Sequence, residues 1–310
     1  MKTLKLGNIN FYKNETFGDT GNYRIYRLVE LLNQYTNHKY EFCDNCKEHE
    51  CDIVFYSLYD KIENLQLVKG NPIFIYWTDE NTAIGANEIF NSDPFLFYKN
   101  NNLSMSFYED SDDNIYYPYF VLFLDDYRTS LNYKTNLNNK NKFCTFCALN
   151  EDCYDAKYRT NLVKYISKNY KEITCCGRVL NNTNGKLLPW DLKERIKYHN
   201  NYKFNLCFEN SSSLGNLTYI TEKIINAYIY KVIPIYWGAE RINEWFNKES
   251  FINCNGLSYE QILEKIKKVD NDTELYNYMI NQYPFIQSID DLEKYFICKT
   301  DKFIYDHINE

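Results

Sequence analysis

The sequence predicts an α/β fold made of two doubly wound domains. Apolar strand-like runs alternate with helical patterns in both halves of the 310 residues. A polar, Asn- and Lys-rich stretch without hydrophobic periodicity, Tyr127–Lys142, separates the halves. The stretch Lys203–Gly238 contains a strand, a polar loop, a helix and a second strand, which is a βαβ pattern. We therefore expect an N-terminal domain over residues 1–135 and a C-terminal domain over residues 136–310, facing each other.

In the N-terminal half, Leu4–Phe11 is a strand-like run, and Tyr23–Tyr35 has apolar residues at helical spacing. Further strands are predicted at Tyr40–Cys43, Asp52–Tyr56, Pro72–Trp77, Leu103–Phe107 and Tyr116–Leu124. The C-terminal half restarts with a strand. Its predicted strands are Lys142–Leu149, Ile173–Cys176, Phe204–Phe208, Val232–Trp237 and Ser250–Cys254. Its predicted helices are Ala156–Lys168, Trp190–Tyr198, a helix within Lys203–Gly238, Glu240–Phe246, Tyr259–Lys268, Asp272–Asn281 and Asp290–Phe296.

Charge and hydropathy exclude several classes of protein. The net charge of −7 argues against a nucleic-acid-binding protein, which would need a basic face. No run is long and apolar enough for a transmembrane helix, and Met1–Asn10 lacks the apolar core of a signal peptide. Eleven cysteines, an odd number, without such a signal favour a reducing compartment and no disulfide framework.

One group of cysteines has the spacing of metal ligands. Cys43 and Cys46 form a C-x-x-C pair, His49 and Cys51 follow, and Cys144 and Cys147 form a second C-x-x-C pair. Four such ligands would make a zinc knuckle. Because the second pair lies about 100 residues away, the favoured interpretation is a thiol-rich loop before a strand, with metal binding as the alternative.

The strongest functional signal lies inside Lys203–Gly238. Glu209 and Asn210 follow a strand, and Glu222 and Lys223 begin a helix, which is where open α/β sheets bind ligands. Backbone N–H groups at a helix start attract anions, and a lysine there is useful if a phosphate lies nearby. The alternative is a solvated Glu–Lys pair on an exposed turn. No glycine-rich dinucleotide or P-loop motif is present.

Here the sequence resembles a known family. The segments FNLCFENS, YITEK, NAY and VIPIYWG are similar to the donor-binding signature of glycosyltransferase family 10, the inverting α-1,3/α-1,4-fucosyltransferases that use GDP-fucose. The resemblance runs almost continuously over Tyr202–Gly238 and identifies the chain as a soluble, bacterial- or viral-type member. It implies a GT-B fold of two Rossmann-like domains, with the acceptor site N-terminal, the nucleotide-sugar site C-terminal and the chemistry in the cleft.

The resemblance also assigns residues. It implies donor contacts by Asn210, Tyr219, Glu222 and Lys223, with Arg159 as the phosphate-binding arginine and Arg178 as a second candidate whose alternative is a surface arginine. Glu209 is expected either to line the donor pocket or to hold the loop through backbone N–H groups. The catalytic base is expected at Glu80, followed by Asn81, after the most apolar N-terminal strand; Asp79 stands where the family often has glycine. A turn acid is the alternative for Glu80.

The predicted function is therefore transfer of L-fucose from GDP-fucose to a hydroxyl of an acceptor glycan, α-1,3 to a GlcNAc- or Glc-type residue, in glycan biosynthesis or protein glycosylation. No cofactor and no dedicated metal site are expected. Stimulation of the activity by a divalent metal is compatible with this prediction. The expected partners are GDP-fucose and an oligosaccharide or glycoconjugate. A monomer or weak homo-oligomer is expected. The expected location is the bacterial cytoplasm, or the host cytoplasm if the protein is viral, with peripheral attachment to a membrane as an alternative.

Three other interpretations stay open. Asp110-Ser-Asp112-Asp113 resembles the D-x-D run with which GT-A transferases hold a metal, although acidic runs are more often solvated loops. A relative of the family using another nucleotide-linked deoxysugar would keep the same motif. A carbohydrate-binding protein of the same fold without turnover is the non-enzymatic alternative.

Overall fold

The computed structural model describes residues 2–8, 13–14, 18–56, 67–77, 103–134, 140–149, 151, 156–210 and 218–308. The chain divides into two compact units. Unit 1 comprises Met1–Tyr117 together with Ile289–Glu310, and unit 2 comprises Pro118–Ser288.

The described part of unit 1 is built on a sheet of six parallel strands in the order β4-β1-β5-β6-β7-β8. Its strands are β1 (Thr3–Asn8), β4 (Lys39–Cys43), β5 (Ile53–Tyr56), β6 (Ile73–Trp77), β7 (Leu103–Ser106) and β8 (Asn114–Tyr116). A short antiparallel pair, β2 (Lys13–Asn14) and β3 (Gly18–Asp19), precedes helix α1 (Thr20–Tyr35). All four residues of the inner strand β5 are buried, as expected for a parallel sheet covered on both faces.

The last helix, α8 (Ile289–Ile308), belongs to unit 1. It packs against α1, where the Tyr35 hydroxyl donates to Glu293 at 3.0 Å. The carboxylate of Asp301 accepts from the Tyr40 hydroxyl at 2.6 Å and contacts His38 Nδ1 at 2.9 Å. Helix α8 therefore lies in unit 1, whereas the sequence prediction placed every C-terminal helix in the second domain.

Unit 2 holds a second parallel sheet, with the described strands in the order β10-β9-β11-β12-β13. These strands are β9 (Lys142–Phe146), β10 (Ile173–Cys175), β11 (Tyr202–Phe208), β12 (Ile233–Trp237) and β13 (Ile252–Asn253). The helices are α2 (Leu124–Ser130), α3 (Ala156–Asn169), α4 (Leu192–His199), α5 (Glu222–Ile229), α6 (Tyr259–Asn271) and α7 (Thr273–Ile280), with 3₁₀ helices at Tyr119–Phe123 and Glu240–Glu244.

Two predictions around the start of unit 2 were wrong. The run Tyr116–Leu124 is not a strand, because β8 ends at Tyr116 and Pro118, which has no N–H for a sheet ladder, precedes a 3₁₀ helix. The predicted linker Tyr127–Lys142 begins inside helix α2, where Tyr127 and Ser130 are buried. Within the described residues, no helix is both long and apolar enough to cross a membrane.

The strand order of unit 2 determines where a ligand can bind. Numbered along the chain, the order is 2-1-3-4-5, so the order reverses between β9 and β11. In open parallel sheets, ligands bind outside the carboxyl ends of the strands at such a switch point. The residues that follow β9 and β11 are therefore the first place to look for a site.

Candidate active site

Strand β11 carries Glu209 and Asn210 to the switch point. It lies between β9 and β12, and six of its seven residues are buried, so burial does not alternate along the strand even though Lys203 and Asn205 interrupt its apolar residues. The ladder extends one residue further, because the Glu209 N–H donates to the Trp237 carbonyl at 2.9 Å. This bond places the Glu209 side chain at the carboxyl edge of the sheet.

The Glu209 carboxylate is completely buried and holds the start of helix α5. Its oxygens accept from the Thr221 N–H at 2.9 Å and from the Thr221 hydroxyl at 2.7 Å. Lys223 Nζ lies 3.2 Å from the same carboxylate and 2.9 Å from Thr221 Oγ1. Gly238 leaves the room that this arrangement needs, since a Cβ there would lie 2.5 Å from Glu209 Cγ. Of the two predicted roles for Glu209, the contacts match the one that holds the loop.

The two carboxylates beside Lys223 have opposite pKa shifts. Burial raises the pKa of Glu209, and the nearby Lys223 ammonium only partly offsets this effect. Burial also opposes ionisation of Glu222, but Lys223 and hydrogen bonds outweigh it and lower the pKa of Glu222. Glu222 keeps 30% of its side chain exposed and lies 3.4 Å from Lys223 Nζ, so it remains an ionised carboxylate at the surface of the site.

Arg159 approaches the site from helix α3, which follows β9. The residue is 3% exposed, and its Nη1 donates to Asn210 Oδ1 at 2.6 Å. Asn210 is itself only partly buried, so the pair joins a buried guanidinium to a residue at the site surface. The structure thus connects Arg159 with Asn210, and Glu209 with Glu222 and Lys223, around the carboxyl end of one strand.

The remaining predicted site residues have different surroundings. Tyr219 is 2% exposed and lies two residues before the N-cap of α5. Arg178 is exposed after strand β10, which agrees with its alternative as a surface arginine. Glu80 and Asn81 lie outside the described residues.

Helix α5 is buried on more than one face. Ile224, Ala227 and Tyr228 are buried, together with Ile220 just before the helix, and Ile225 and Ile229 are buried as well. The helix contacts β11 and β12 on one side and α2 and the Tyr119–Phe123 helix on the other. The helix is therefore covered on both sides, while Glu222 and Lys223 in its first turn stay partly exposed.

Sequence reasoning missed two residues of this site. Thr221 is the N-cap of α5, and its side chain accepts from the Lys223 N–H as well as binding Glu209; a threonine before a helical pattern is a known N-cap signal. Cys147, directly after β9, is exposed. A hydrogen bond with Cys176 lowers the pKa of the Cys147 thiol, and Arg195 and Arg159 lower it further, which together outweigh the opposing effects of partial burial and of Glu222. No spacing rule would have placed this thiol at the switch point.

The predicted rival metal motif has another explanation. Asp110 accepts from the Tyr116 N–H at 2.8 Å and pairs with Lys299 at 2.7 Å. These contacts use the first carboxylate of the D-x-D-like run to hold β8 and helix α8 of unit 1. The geometry therefore favours the structural interpretation of this run.

Comparison with known proteins places these residues in a family. A relative from Acanthamoeba polyphaga mimivirus is 33% identical over 193 residues, which are 58% of this chain and 30% of the relative. The α-(1,3)-fucosyltransferase FucT of Helicobacter pylori is 37% identical over 98 residues, 31% of this chain and 20% of that protein. The chain thus matches less than a third of the length of either relative.

The fold has a counterpart among solved structures. A crystal structure of an α1,3-fucosyltransferase with GDP-fucose matches with a TM-score of 0.65 and 21% identity, over 97% of this chain and 90% of that one. This likeness shows a GT-B fold of two Rossmann-like units. The model of the family "Glycosyltransferase family 10 (fucosyltransferase) C-term" matches residues 137–300, more than half of the chain and all of the site described above. The chain belongs to glycosyltransferase family 10.

Proposed function

We propose that this protein is an inverting fucosyltransferase that moves L-fucose from GDP-fucose to a hydroxyl of an acceptor glycan, with α-1,3 linkage to a GlcNAc- or Glc-type residue. The observation that carries the proposal is the position of Lys223. Its ammonium is held on the buried Glu209 in the first turn of α5, at the switch point of the sheet, inside the segment that matches the family.

Lys223 and Arg159 supply positive charge where a diphosphate would lie. In the reaction, the bond between the anomeric carbon and the β-phosphate oxygen breaks, and GDP leaves with the bonding electrons. Fixed cations stabilise the charge that develops on this oxygen. Asn210 holds Arg159 through the bond from Nη1, so we assign it the role of orienting the guanidinium as well as contacting the donor.

Glu222 and Tyr219 complete the donor site in this proposal. The ionised Glu222 carboxylate, partly exposed beside Lys223, suits hydrogen bonds from the ribose hydroxyls. Tyr219, which is 2% exposed and three residues before Glu222 in the chain, is assigned to the same donor site. Glu209 is a positioning residue, because both of its oxygens contact Thr221 or Lys223.

The base must take the proton of the acceptor hydroxyl while that oxygen forms the new bond to the anomeric carbon from the face opposite GDP. We assign this role to Glu80 on the sequence motif alone. Variant Glu80→Gln should bind GDP-fucose as the wild type does and lose at least about a hundredfold in transfer rate. Asp79→Asn, which removes the neighbouring negative charge, is the matched control and should keep most of the activity.

Donor identity is tested by thermal stabilisation with a panel of nucleotide sugars. GDP-fucose and GDP should raise the melting temperature in a concentration-dependent way, since a ligand that binds only the folded state stabilises it. UDP-glucose is the control for the base, and GDP-mannose is the control for the sugar. No shift with GDP or GDP-fucose would refute the proposal, whereas an equal shift with GDP-mannose would favour another deoxysugar or hexose donor.

Turnover separates the enzyme from a binding protein of the same fold. We expect release of GDP from GDP-fucose in the presence of an oligosaccharide ending in GlcNAc or Glc. The rate in EDTA should stay within about twofold, because we propose no metal on the diphosphate. Stabilisation by GDP-fucose without any transfer or hydrolysis would instead favour the non-catalytic alternative.

A further inference from the structure

Three buried cysteines of unit 1 bring their sulfurs together. Cys43 ends strand β4, Cys46 lies in the following loop, and Cys51 precedes strand β5. Their Sγ atoms all lie within 4.8 Å of one another, and Cys46 and Cys51 are 2.9 Å apart. The three residues are between 1% and 7% exposed, so the group, which we call the thiol triad, is shielded from water.

The loop that carries the triad has a defined conformation. The Asn45 carbonyl accepts from the N–H groups of Glu48 and His49, and its side chain accepts from the Lys47 N–H. Lys69 fastens the loop from outside, donating its N–H to the Cys46 carbonyl and its ammonium to the Glu48 carbonyl. These hydrogen bonds fix the backbone of the loop that carries Cys46.

Gly7 of β1 makes room for the triad. A Cβ at this position would lie 2.1 Å from Cys46 Sγ and 3.1 Å from Cys51 Sγ. The loop between β4 and β5 thus crosses directly over β1, and the backbone of Gly7 forms one wall of the sulfur group. Val54, Val68 and Phe74 form an apolar surround.

We infer that the thiol triad binds one thiophilic d¹⁰ metal ion, of the class that includes Cu(I) and Zn²⁺. An all-sulfur ligand set selects such ions and disfavours Mg²⁺ and Ca²⁺, which require oxygen ligands. An ion about 2.3 Å from each sulfur would set the sulfurs about 3.8–4.0 Å apart, within about 1 Å of the pair at 2.9 Å. Side-chain rotations that move the Cys46 and Cys51 sulfurs apart by about 1 Å would give that geometry.

His49 does not complete the triad in this structure. The residue is exposed, and among the described residues only the three cysteines form a group of metal-ligand atoms. A three-coordinate site suits Cu(I), whereas Zn²⁺ would need a fourth ligand. The bound ion would tie β4, the loop and β5 together over β1 and so would stabilise unit 1, independently of the proposed transfer reaction.

The test uses the whole 310-residue chain, purified with a reductant and then exchanged anaerobically into buffer without reductant. The reduced protein is loaded with Zn²⁺ or with Cu(I), passed through a desalting column and analysed for metal per chain. We expect about one ion per chain for at least one metal, and a higher melting temperature with that metal. Mass spectrometry after alkylation should show Cys43, Cys46 and Cys51 protected by the metal in the wild type.

Two variants make the result specific. Cys46→Ser should lose at least nine-tenths of the bound metal, whereas Cys298→Ser, which removes a partly exposed thiol of unit 1 outside the triad, should bind as the wild type does. If Cys46→Ser does not fold, the alkylation pattern of the wild type decides. Failure of both metals to bind, equal binding by Cys46→Ser, or a Cys46–Cys51 disulfide in protein trapped from cells would overturn the inference.

Discussion

The variant Lys223→Met tests two proposed roles of this lysine, binding of the donor diphosphate and stabilisation of the fold. The substitution keeps the length of the aliphatic chain and removes the ammonium that lies 3.2 Å from the buried Glu209 carboxylate. If Lys223 contacts the donor diphosphate, loss of one charge-assisted hydrogen bond of about 1.5–3 kcal/mol weakens GDP binding roughly 10- to 150-fold. The same change leaves Glu209 without this counter-charge, so the folded state is destabilised as well.

The stability effect follows from the geometry. Two unit charges 3.2 Å apart attract each other by about 5 kcal/mol at an effective dielectric constant of 20. Lys223 regains some hydration in the unfolded chain, and its side chain is already 20% exposed. We therefore expect the free energy of unfolding to fall by about 3 kcal/mol, the lower part of the range for breaking a buried ion pair.

The double variant Lys223→Met/Glu209→Gln is the decisive control. It removes both charges, so the free energy of unfolding in urea should recover by about 2 kcal/mol relative to the single variant. The dissociation constant for GDP, measured by calorimetry, should stay weakened at least tenfold. If the double variant also recovers GDP affinity, Lys223 acts only by supporting the fold, and its assignment to the diphosphate is wrong.

Three further predictions concern unit 2. Burial lowers the pKa of His199, stacked on Tyr230, to about 3. Because this folded-state pKa lies below the unfolded value near 6.5, the free energy of unfolding should fall by about 2 kcal/mol from pH 8 to pH 5. The variant His199→Gln should remove that part of the pH dependence in urea titrations. Asp270 accepts from Lys171 at 2.5 Å, Lys203 at 2.7 Å and the Tyr170 hydroxyl at 2.8 Å. Although burial alone would raise the pKa of Asp270, these bonds lower it. Its contribution to the free energy of unfolding is therefore present above about pH 4 and is lost in more acidic solution. The variant Asp270→Asn should lower the free energy of unfolding by about 3 kcal/mol at pH 7, and an unchanged urea midpoint would contradict this. Among the described cysteines of unit 2, the exposed Cys147 should be the first alkylated by iodoacetamide. Saturating GDP should slow that reaction at least fivefold if the diphosphate lies between Arg159 and Lys223. Equal rates with and without GDP in peptide mass spectrometry would place the nucleotide elsewhere.

Local patterns predicted the elements that form the site. The strand expected at Phe204–Phe208 is found at Tyr202–Phe208, and the one expected at Val232–Trp237 is found at Ile233–Trp237. Both are parallel strands with mostly buried residues, and the apolar residues that dominate them were the signal that predicted them. The start of α5 was predictable too, since Thr221 caps it and Glu222 lies in its first turn.

Long-range packing was less predictable. The hydrophobic periodicity of Asp290–Phe296 predicted a helix there but did not predict that α8 extends to Ile308. It also did not predict that Glu293 and Asp301 accept hydrogen bonds from residues near the start of the chain. The thiol triad was not predictable from local sequence either. The spacing of Cys43, Cys46 and Cys51 favoured a thiol-rich loop over a metal site. Only the crossing of this loop over Gly7 brings the three sulfurs together.

The buried Glu209 argues against the alternative that the sequence left open for Lys223, a solvated pair on an exposed turn. A solvated Glu–Lys pair on an exposed turn would require no carboxylate beneath it. In the structure, a completely buried acid whose pKa is raised by burial lies under the lysine, and this arrangement costs desolvation energy that an apolar residue would not. Such a cost is expected where a cation must be held at a fixed position, at the carboxyl edge of the sheet and the start of a helix. These contacts therefore support the donor site that we propose at Lys223.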